Sequence, residues 1–235
     1  AGWPLDNITY GGSFMYHAEN KQIFLGYVIG LDYKNPHLSP FDEFQRFKTH
    51  PAIKKIIEGG KRISYGARAL NEGGWQSLPK VSFPGGVLLG CDAGTLNTPK
   101  IKGSHTAMKS GMIAASSAFD ALKNKRKHDV LNCYQKNFRN SWAGKELFNA
   151  RNVRPSFRWG LSIGMLLTGF DQILLGGKAP WTLHHHKKDH LSLQEKSKVK
   201  RIDYPKPDGV LTFDKLTNVA FTSTYHEEDQ PCHLK

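Results

Sequence analysis

Residues 85–122, GGVLLGCDAGTLNTPKIKGSHTAMKSGMIAASSAFDAL, carry the arrangement on which the rest of the chain depends. Val87 to Leu89 read as a short apolar strand running into Gly90-Cys91-Asp92-Ala93-Gly94. A loop with Asn97, Pro99, Lys100 and Lys102 follows. The Ala-rich pattern then predicts a helix from near Gly103-Ser104 to about Leu122. A strand, an acidic turn, a glycine and a helix N-terminus in close succession can hold a large anionic cofactor. The carboxylate accepts from a sugar hydroxyl, and the helix N-terminus faces a polarised oxygen. Asp92 alone reads equally as a ribose or pyrophosphate contact and as a plain turn residue. Gly94, Asn97 and the helix start at Gly103-Ser104 tilt the reading toward a cofactor. Lys100 and Lys102 add positive charge, or simply form a solvated loop. His105 reads as a packed or capping residue rather than an acid–base catalyst.

Upstream, residues 1–12 read as a loop ending in Gly11-Gly12. Ser13 to His17 and Gln22 to Gly30 predict two strands joined by Glu19-Asn20-Lys21, the second covered on both faces. Gly11-Gly12 is a second candidate site. A glycine pair lets a flat ring approach the backbone, although an ordinary turn explains the same spacing. Ser39-Pro40 predicts a capped helix with Asp42 and Glu43 at its positive end and Phe41, Phe44 and Phe47 as its apolar stripe. A short helix from Pro51 closes at Gly59-Gly60. Arg62 to Ala69, Gln76 to Leu78 and Lys80 to Phe83 predict short strands.

Downstream, Val130 to Asn149 predicts one helix with Tyr134, Phe138 and Trp142 on one side. Trp159 to Leu175, WGLSIGMLLTGFDQILL, is too short and too polar to span a bilayer. Trp159 and Trp181 bracket it, and Arg151, Arg154, Arg158 and Lys178 flank it. That layout fits a helix lying in a membrane interface, with Asp171 facing water; a buried core helix is the alternative. The apolar residues that would enter lipid are Trp159, Leu161, Ile163, Leu166, Leu167, Phe170, Ile173 and Leu174. Residues 184–201 are polar and mostly basic. His184-His185-His186 with His190 reads as a solvated loop rather than a metal site, because three adjacent imidazoles cannot all point at one ion.

The chain has 235 residues, 39% of them hydrophobic and 23% charged, enough for a folded core. Its net charge of +13 suits nucleic acid, an anionic membrane surface or an acidic partner. Nucleic-acid binding rests on charge alone, since aromatic and basic residues do not interleave as stacking platforms do. Three cysteines, Cys91, Cys133 and Cys232, lie far apart without a CxxC, so no zinc ribbon or iron–sulfur site is expected within the chain. No Walker A, no G-x-G-x-x-G after a strand, and no G-x-S-x-G or H-E-x-x-H occurs. A start at Ala1-Gly2-Trp3 without Met predicts a segment of a longer protein.

Seven segments carry a closer resemblance: GWPLDNITYGGSFMYH, GLDYKNPHLSPFDEFQRFKTHP, EGGKRISYGARALNEGGWQSLPK, GCDAGTLNTPKIKGSHTAMKSGMIAA, ARNVRPS, APWTL and DYPKPDGVLTFD. They are spread from Gly2 to Asp214 and together make up nearly half of the chain, which resembles the middle of the electron-transfer flavoprotein–ubiquinone oxidoreductase family. The resemblance implies an α/β (α+β) fold: part of a glutathione-reductase/PHBH-like FAD-binding domain, a mixed-sheet quinone-binding domain and a monotopic membrane-surface helix. It implies FAD, a 4Fe-4S cluster ligated outside this chain, ubiquinone as substrate, and electron-transfer flavoprotein and membrane lipid as partners. The expected location is the mitochondrial inner membrane, matrix side, or the bacterial cytoplasmic membrane.

Carried over by residue, the resemblance assigns Gly11 and Gly12 to the quinone head group. It assigns Asp92, Gly94, Asn97, Gly103 and Ser104 to FAD, and 159–175 to the membrane surface. It divides the chain into 1–84 (quinone-binding), 85–124 (second FAD segment), 125–183 (helical, with the membrane-surface helix) and 184–235 (linker and start of the cluster domain). The family's N-terminal FAD motif and its four cluster cysteines are not among these residues, and Cys232 is not one of the four. Two rival readings are a geranylgeranyl-reductase-like or FixC-like flavin oxidoreductase and a non-catalytic membrane-surface binding module.

Overall fold

The computed structural model describes residues 2–231. In chain order its elements are β1 (Gly11–Ala18), β2 (Gln22–Ile29), α1 (Pro40–Lys48), α2 (Pro51–Ile57), β3 (Ser82–Phe83), β4 (Gly86–Val87) and α3 (Ser104–Lys123). Then come α4 (Asn132–Asn140), α5 (Trp142–Asn149), α6 (Val153–Ser156), α7 (Leu161–Gly169) and α8 (Lys215–Val219). A π-helical turn, Phe170–Leu174, continues α7. The fold is a mixture of helices with two small antiparallel sheets, β1–β2 and β3–β4. Residues divide into two compact units: the described part of Ala1–Arg68 with Asp189–Lys235, and Ala69–Lys188.

In the first unit β1 and β2 form a hairpin in register from Gly11↔Ile29 to Ala18↔Gln22. Asn20 and Lys21 take φ of 56° and 57° to make the turn. Gly11-Gly12 therefore belongs to β1 and not to a preceding loop. The expectation that β2 is covered on both faces is not met among the described residues. Tyr27 stacks on Phe47 at 5.0 Å, whereas Phe14, Tyr16 and Phe24 on the opposite face are exposed. A two-stranded ribbon with one packed face leaves alternate side chains in water.

Helix α1 begins as its sequence predicts, with Ser39 Oγ accepting from Asp42 N at 3.3 Å and Pro40 in the first turn. Of the phenylalanine stripe, only Phe47 is fully buried. Glu43, Gln45 and Lys48 are buried beside it, each with partners. Glu43 takes Arg46 at 3.1 Å and the Tyr204 hydroxyl at 2.8 Å. Gln45 Oε1 accepts from Phe213 N at 3.0 Å, and the Lys48 ammonium lies 5.0 Å over the Phe213 ring. Tyr204 and Phe213 come from DYPKPDGVLTFD, so two sequence-distant motifs share one polar core. Burial, with Arg62 nearby, pulls the Lys48 pKa down to about 8, against the pull of Asp208.

Residues 62–69 are not a strand. Arg62 lies 3.9 Å over Phe213 and 4.1 Å over Phe221 and donates to Asn218 Oδ1 at 2.7 Å. Tyr65 N donates to Phe221 O at 3.0 Å, so this stretch is held by side-chain stacking rather than a ladder.

The second unit is built on α3, α4 and α5. Tyr134, Phe138, Ala143 and Leu147 pack with Ala114, Ala93 and Val81. The single helix predicted over 130–149 is two. Ser141 is extended, and its Oγ accepts from Gly144 N at 3.2 Å to cap α5. A Cβ on Gly144 would lie 2.3 Å from Phe138 O, so only glycine allows this corner. The break turns Trp142 outward, away from Tyr134 and Phe138. The strand predicted at 76–78 is a 3-10 turn, Trp75–Ser77. The runs at 80–83 and 87–89 keep only the pairs Ser82↔Val87 and Phe83↔Gly86.

Candidate functional site

Gly90 (φ 70°) and Gly94 (φ 87°) bracket a tight turn over Cys91–Ala93, in a backbone region that glycine enters freely. The turn is tied to the start of α3. Gly90 N donates to Ser110 Oγ at 2.9 Å, and Thr106 Oγ1 donates to Thr95 O at 2.6 Å. Gly103 also meets the turn closely, because a Cβ there would sit 2.9 Å from Cys91 Sγ. Asp92 is exposed at the tip, and its carbonyl accepts from Asn71 Nδ2 at 2.9 Å. Helix α3 starts at Gly103 without a side-chain cap. Its first-turn amides thus have no capping side chain as acceptor, next to an exposed acidic turn.

Asn97 is in the same loop but is only 2% exposed. Its Nδ2 donates to Glu146 Oε1 at 2.7 Å, and its Oδ1 accepts from Lys100 N at 3.2 Å. Glu146, on α5, also takes His105 Nε2 at 2.8 Å and Lys100 Nζ at 2.9 Å. His105 stacks on Trp142 at 5.8 Å and 11°. Partial burial pushes the Glu146 carboxyl up, but bonds from His105, Lys100 and Asn97 more than offset this and hold it at about 2. One carboxylate therefore pins the loop and the first turn of α3 to α5. Sequence reasoning did not single out Glu146. The acidic residue that would fix a loop bearing Lys100 and His105 lies over forty positions away, without a local signal.

In the first unit, Gly11 and Gly12 face opposite sides of β1. A Cβ on Gly11 would meet Val28 O at 2.4 Å and Leu5 Cδ1 at 2.7 Å. A Cβ on Gly12 would meet nothing within 4 Å. By alternation Gly12 shares its face with Phe14 and Tyr16, leaving bare backbone beside exposed aromatic rings. The two glycine sites thus lie in separate compact units.

The apolar segment starts later than its sequence suggests. Trp159 closes a 3-10 turn, Gly160 (φ 88°) breaks the chain direction, and α7 runs from Leu161. Ile163, Leu166, Leu167, Phe170, Ile173 and Leu174 are exposed, Ile173 by 82%. Leu161 is half-buried. Asp171 does not face water: it is 3% exposed, and its Oδ2 accepts from Gln172 Nε2 at 2.9 Å. The π-helical turn rotates it inward, where its carbonyl accepts from Gly177 N at 2.8 Å.

Arg151, expected among the flanking cations, is instead internal. It donates to Phe148 O, Gly177 O, Ala179 O, Trp181 O and Thr182 Oγ1, and its guanidinium lies 3.9 Å over the Phe148 ring. The five donors of a guanidinium suit this convergence of carbonyls. Among the described residues no group of three His, Cys, Asp or Glu could hold a metal ion, and no helix is long and apolar enough to cross a membrane. His185 Nε2 pairs with Gly73 O at 2.7 Å.

Residues 1–70 match a family model described as "ETF-QO, ubiquinone-binding". Residues 209–235 match one described as "Electron transfer flavoprotein-ubiquinone oxidoreductase, 4Fe-4S". Between and across these, the chain is 55% identical over 237 residues to a Pseudomonas aeruginosa protein named electron transfer flavoprotein-ubiquinone oxidoreductase. That alignment covers 100% of this chain and 43% of the relative. Along its whole length the chain is similar to electron transfer flavoprotein-ubiquinone oxidoreductases.

The mitochondrial proteins of that name from Homo sapiens and Arabidopsis thaliana are 52% and 54% identical. They align with 99% and 100% of this chain and with 39% and 36% of their own lengths. The chain thus spans about two-fifths of the curated relatives it matches. The ubiquinone-binding and 4Fe-4S matches fall at opposite ends of the sequence but within one compact unit.

Proposed function

We propose that this chain is part of an oxidoreductase that passes electrons from reduced electron-transfer flavoprotein to ubiquinone, using FAD and a 4Fe-4S cluster. The observation that carries the reading is similarity above 50% along the whole chain, reaching through both family matches. In this reading 1–84 is the quinone-binding domain and 85–124 the second FAD segment. Residues 125–183 carry the membrane-surface helix, and 184–235 lead into the cluster domain. Electron-transfer flavoprotein, ubiquinone and membrane lipid are the partners. The location is a respiratory membrane, mitochondrial inner (matrix side) or bacterial cytoplasmic, with the protein monotopic.

The turn and helix start fit a flavin of the glutathione-reductase/PHBH type. Gly90 and Gly94 hold the tight turn, Asp92 is exposed at its tip, and the α3 amides lack a side-chain cap. Asp92 would accept from a sugar hydroxyl. Gly94, Gly103 and Ser104 would offer backbone and hydroxyl groups to the ring, and Asn97 would act by holding the loop. When bound, FAD supplies the one- and two-electron redox chemistry. The chain's own part is to orient it and to place the positive end of α3 toward developing negative charge. Gly12, open on an aromatic face, offers backbone to a quinone head group, while Gly11 fits the hairpin against Leu5.

Two measurements test this. The absorbance spectrum of the full-length protein should show bound flavin over a broad cluster band; a colourless, folded protein overturns the reading. Flotation with liposomes tests the interfacial helix. Leu166→Asp and Ile173→Asp together should reduce lipid binding at least ~10-fold, given the cost of placing charge among lipid tails, and unchanged binding overturns it.

A further inference from the structure

The surface around α7 differs from the rest of this basic chain in one respect. From Leu147 to Lys188 the sequence has a single acidic residue, Asp171, and the fold buries it. Every carboxylate has thus been withdrawn from the exposed face of this 42-residue stretch. What remains exposed includes the apolar Ile163, Leu166, Ile173 and Leu174 and the cationic Arg158 and Lys178 on either side of them, with Lys187 and Lys188 farther along the same stretch. None of these four cations forms an ion pair among the described residues, although surface ion pairs occur elsewhere in the chain.

The rim adjoins the apolar face. The Arg158 guanidinium lies 3.9 Å over the exposed Trp159 ring, and its Nη1 donates to His184 O at 3.4 Å. Lys178 lies four residues beyond the end of the π-helical turn, its N–H donating to Leu175 O at 3.0 Å.

We infer that this surface docks on a bilayer with anionic headgroups, the cations on the α7 rim taking lipid phosphates while the helix enters the acyl boundary. The inference rests on the interfacial-helix reading above and adds headgroup selectivity to it. Apolar area alone binds zwitterionic and anionic bilayers alike. A cationic rim on a stretch whose single carboxylate is buried separates them, because each Lys or Arg near an anionic surface contributes about fivefold in affinity. A bilayer fits better than an acidic protein. The apolar belt is continuous along α7 and its π-helical turn, and tryptophans flank it at both ends as at membrane interfaces.

The test is flotation of the full chain with vesicles of phosphatidylcholine alone and of phosphatidylcholine with phosphatidylglycerol. Binding to the mixed vesicles should be on the order of 100-fold tighter. It should weaken steeply as ionic strength rises from about 0.1 to about 1 M, where screening shortens from ~10 to ~3 Å. Replacing Arg158, Lys178, Lys187 and Lys188 together with Gln should bring the two lipids level, with thermal unfolding unchanged. Inorganic phosphate at matched ionic strength should not compete. Equal binding to both lipids by the unaltered chain overturns the inference and leaves the interfacial helix standing. Failure to bind either overturns the interfacial helix as well. Displacement by phosphate at constant ionic strength overturns the bilayer in favour of a small-anion site.

Discussion

Helices α3 and α7 both begin at a glycine without a side-chain cap, yet they sit at opposite depths. Helix α3 buries Thr106, Ser110, Ala114, Ser117 and Ala121. It leaves Met108, Met112, Phe119 and Leu122 outside among the described residues. Helix α7 is almost wholly apolar and buries only Gly164. Depth here follows the size of the inward side chains, not overall hydrophobicity. A small-residue face lets helices approach closely, and its hydroxyls are satisfied locally: Ser110 donates to Ala107 O and Ser117 to Ile113 O. Helix α7 offers its neighbours a glycine, its π-helical turn adds a buried aspartate, and the large side chains of both turn away.

Four substitutions sharpen the contrast. The largest effect is expected at Arg151, which binds the carbonyls just after the α7 turn. Arg151→Met strands several buried carbonyls and should cost about 3 kcal/mol or more, read in denaturant unfolding by tryptophan fluorescence. Gly164→Ala comes next. Its Cβ would lie 2.7 Å from Phe157 Cδ1 and 2.9 Å from the Phe157 Cα, so α7 must shift. A loss of about 1–3 kcal/mol is expected, and an unchanged midpoint would show that α7 is not held at this contact.

Glu146→Gln should cost about 1–2 kcal/mol by loosening the loop at the start of α3. Its acid dependence has a definite sign. The folded carboxyl is held at about 2 against an ordinary 4.5. Its stabilisation is therefore full above pH 4.5 and is lost as pH falls toward 2. The variant should flatten that limb of the pH–stability curve. The smallest effect is a gain. Gly111 is inside α3 with nothing within 4 Å of an added Cβ. Gly111→Ala should therefore raise stability by about 0.5–1 kcal/mol in thermal unfolding.

Local signals carried much of the fold. Ser39-Pro40 starts α1, Gly103-Ser104 starts α3, and Glu19-Asn20-Lys21 turns the hairpin, because caps and turns are set by neighbouring residues. The same logic failed at Ser141. An amphipathic pattern continued through it, but a Ser cap and the close approach at Gly144 divided the helix. It failed again at 62–69, where β-like residues are held by stacking on Phe213 and Phe221, about 150 positions away.

The sequence alone determined the family resemblance, the acidic glycine turn ahead of α3, and the apolar run with its tryptophans and cations. These are contiguous features, readable from neighbouring side chains. Only the tertiary structure decided that Glu146 pins the Asn97–Lys100 loop, that Arg151 is a buried strut and not a surface cation, and that Asp171 turns inward. It also decided that Gly11 and Gly12 face opposite ways. Each outcome depends on which distant carbonyl, ring or carboxylate comes within about 3–4 Å, the range over which hydrogen bonds and packing act.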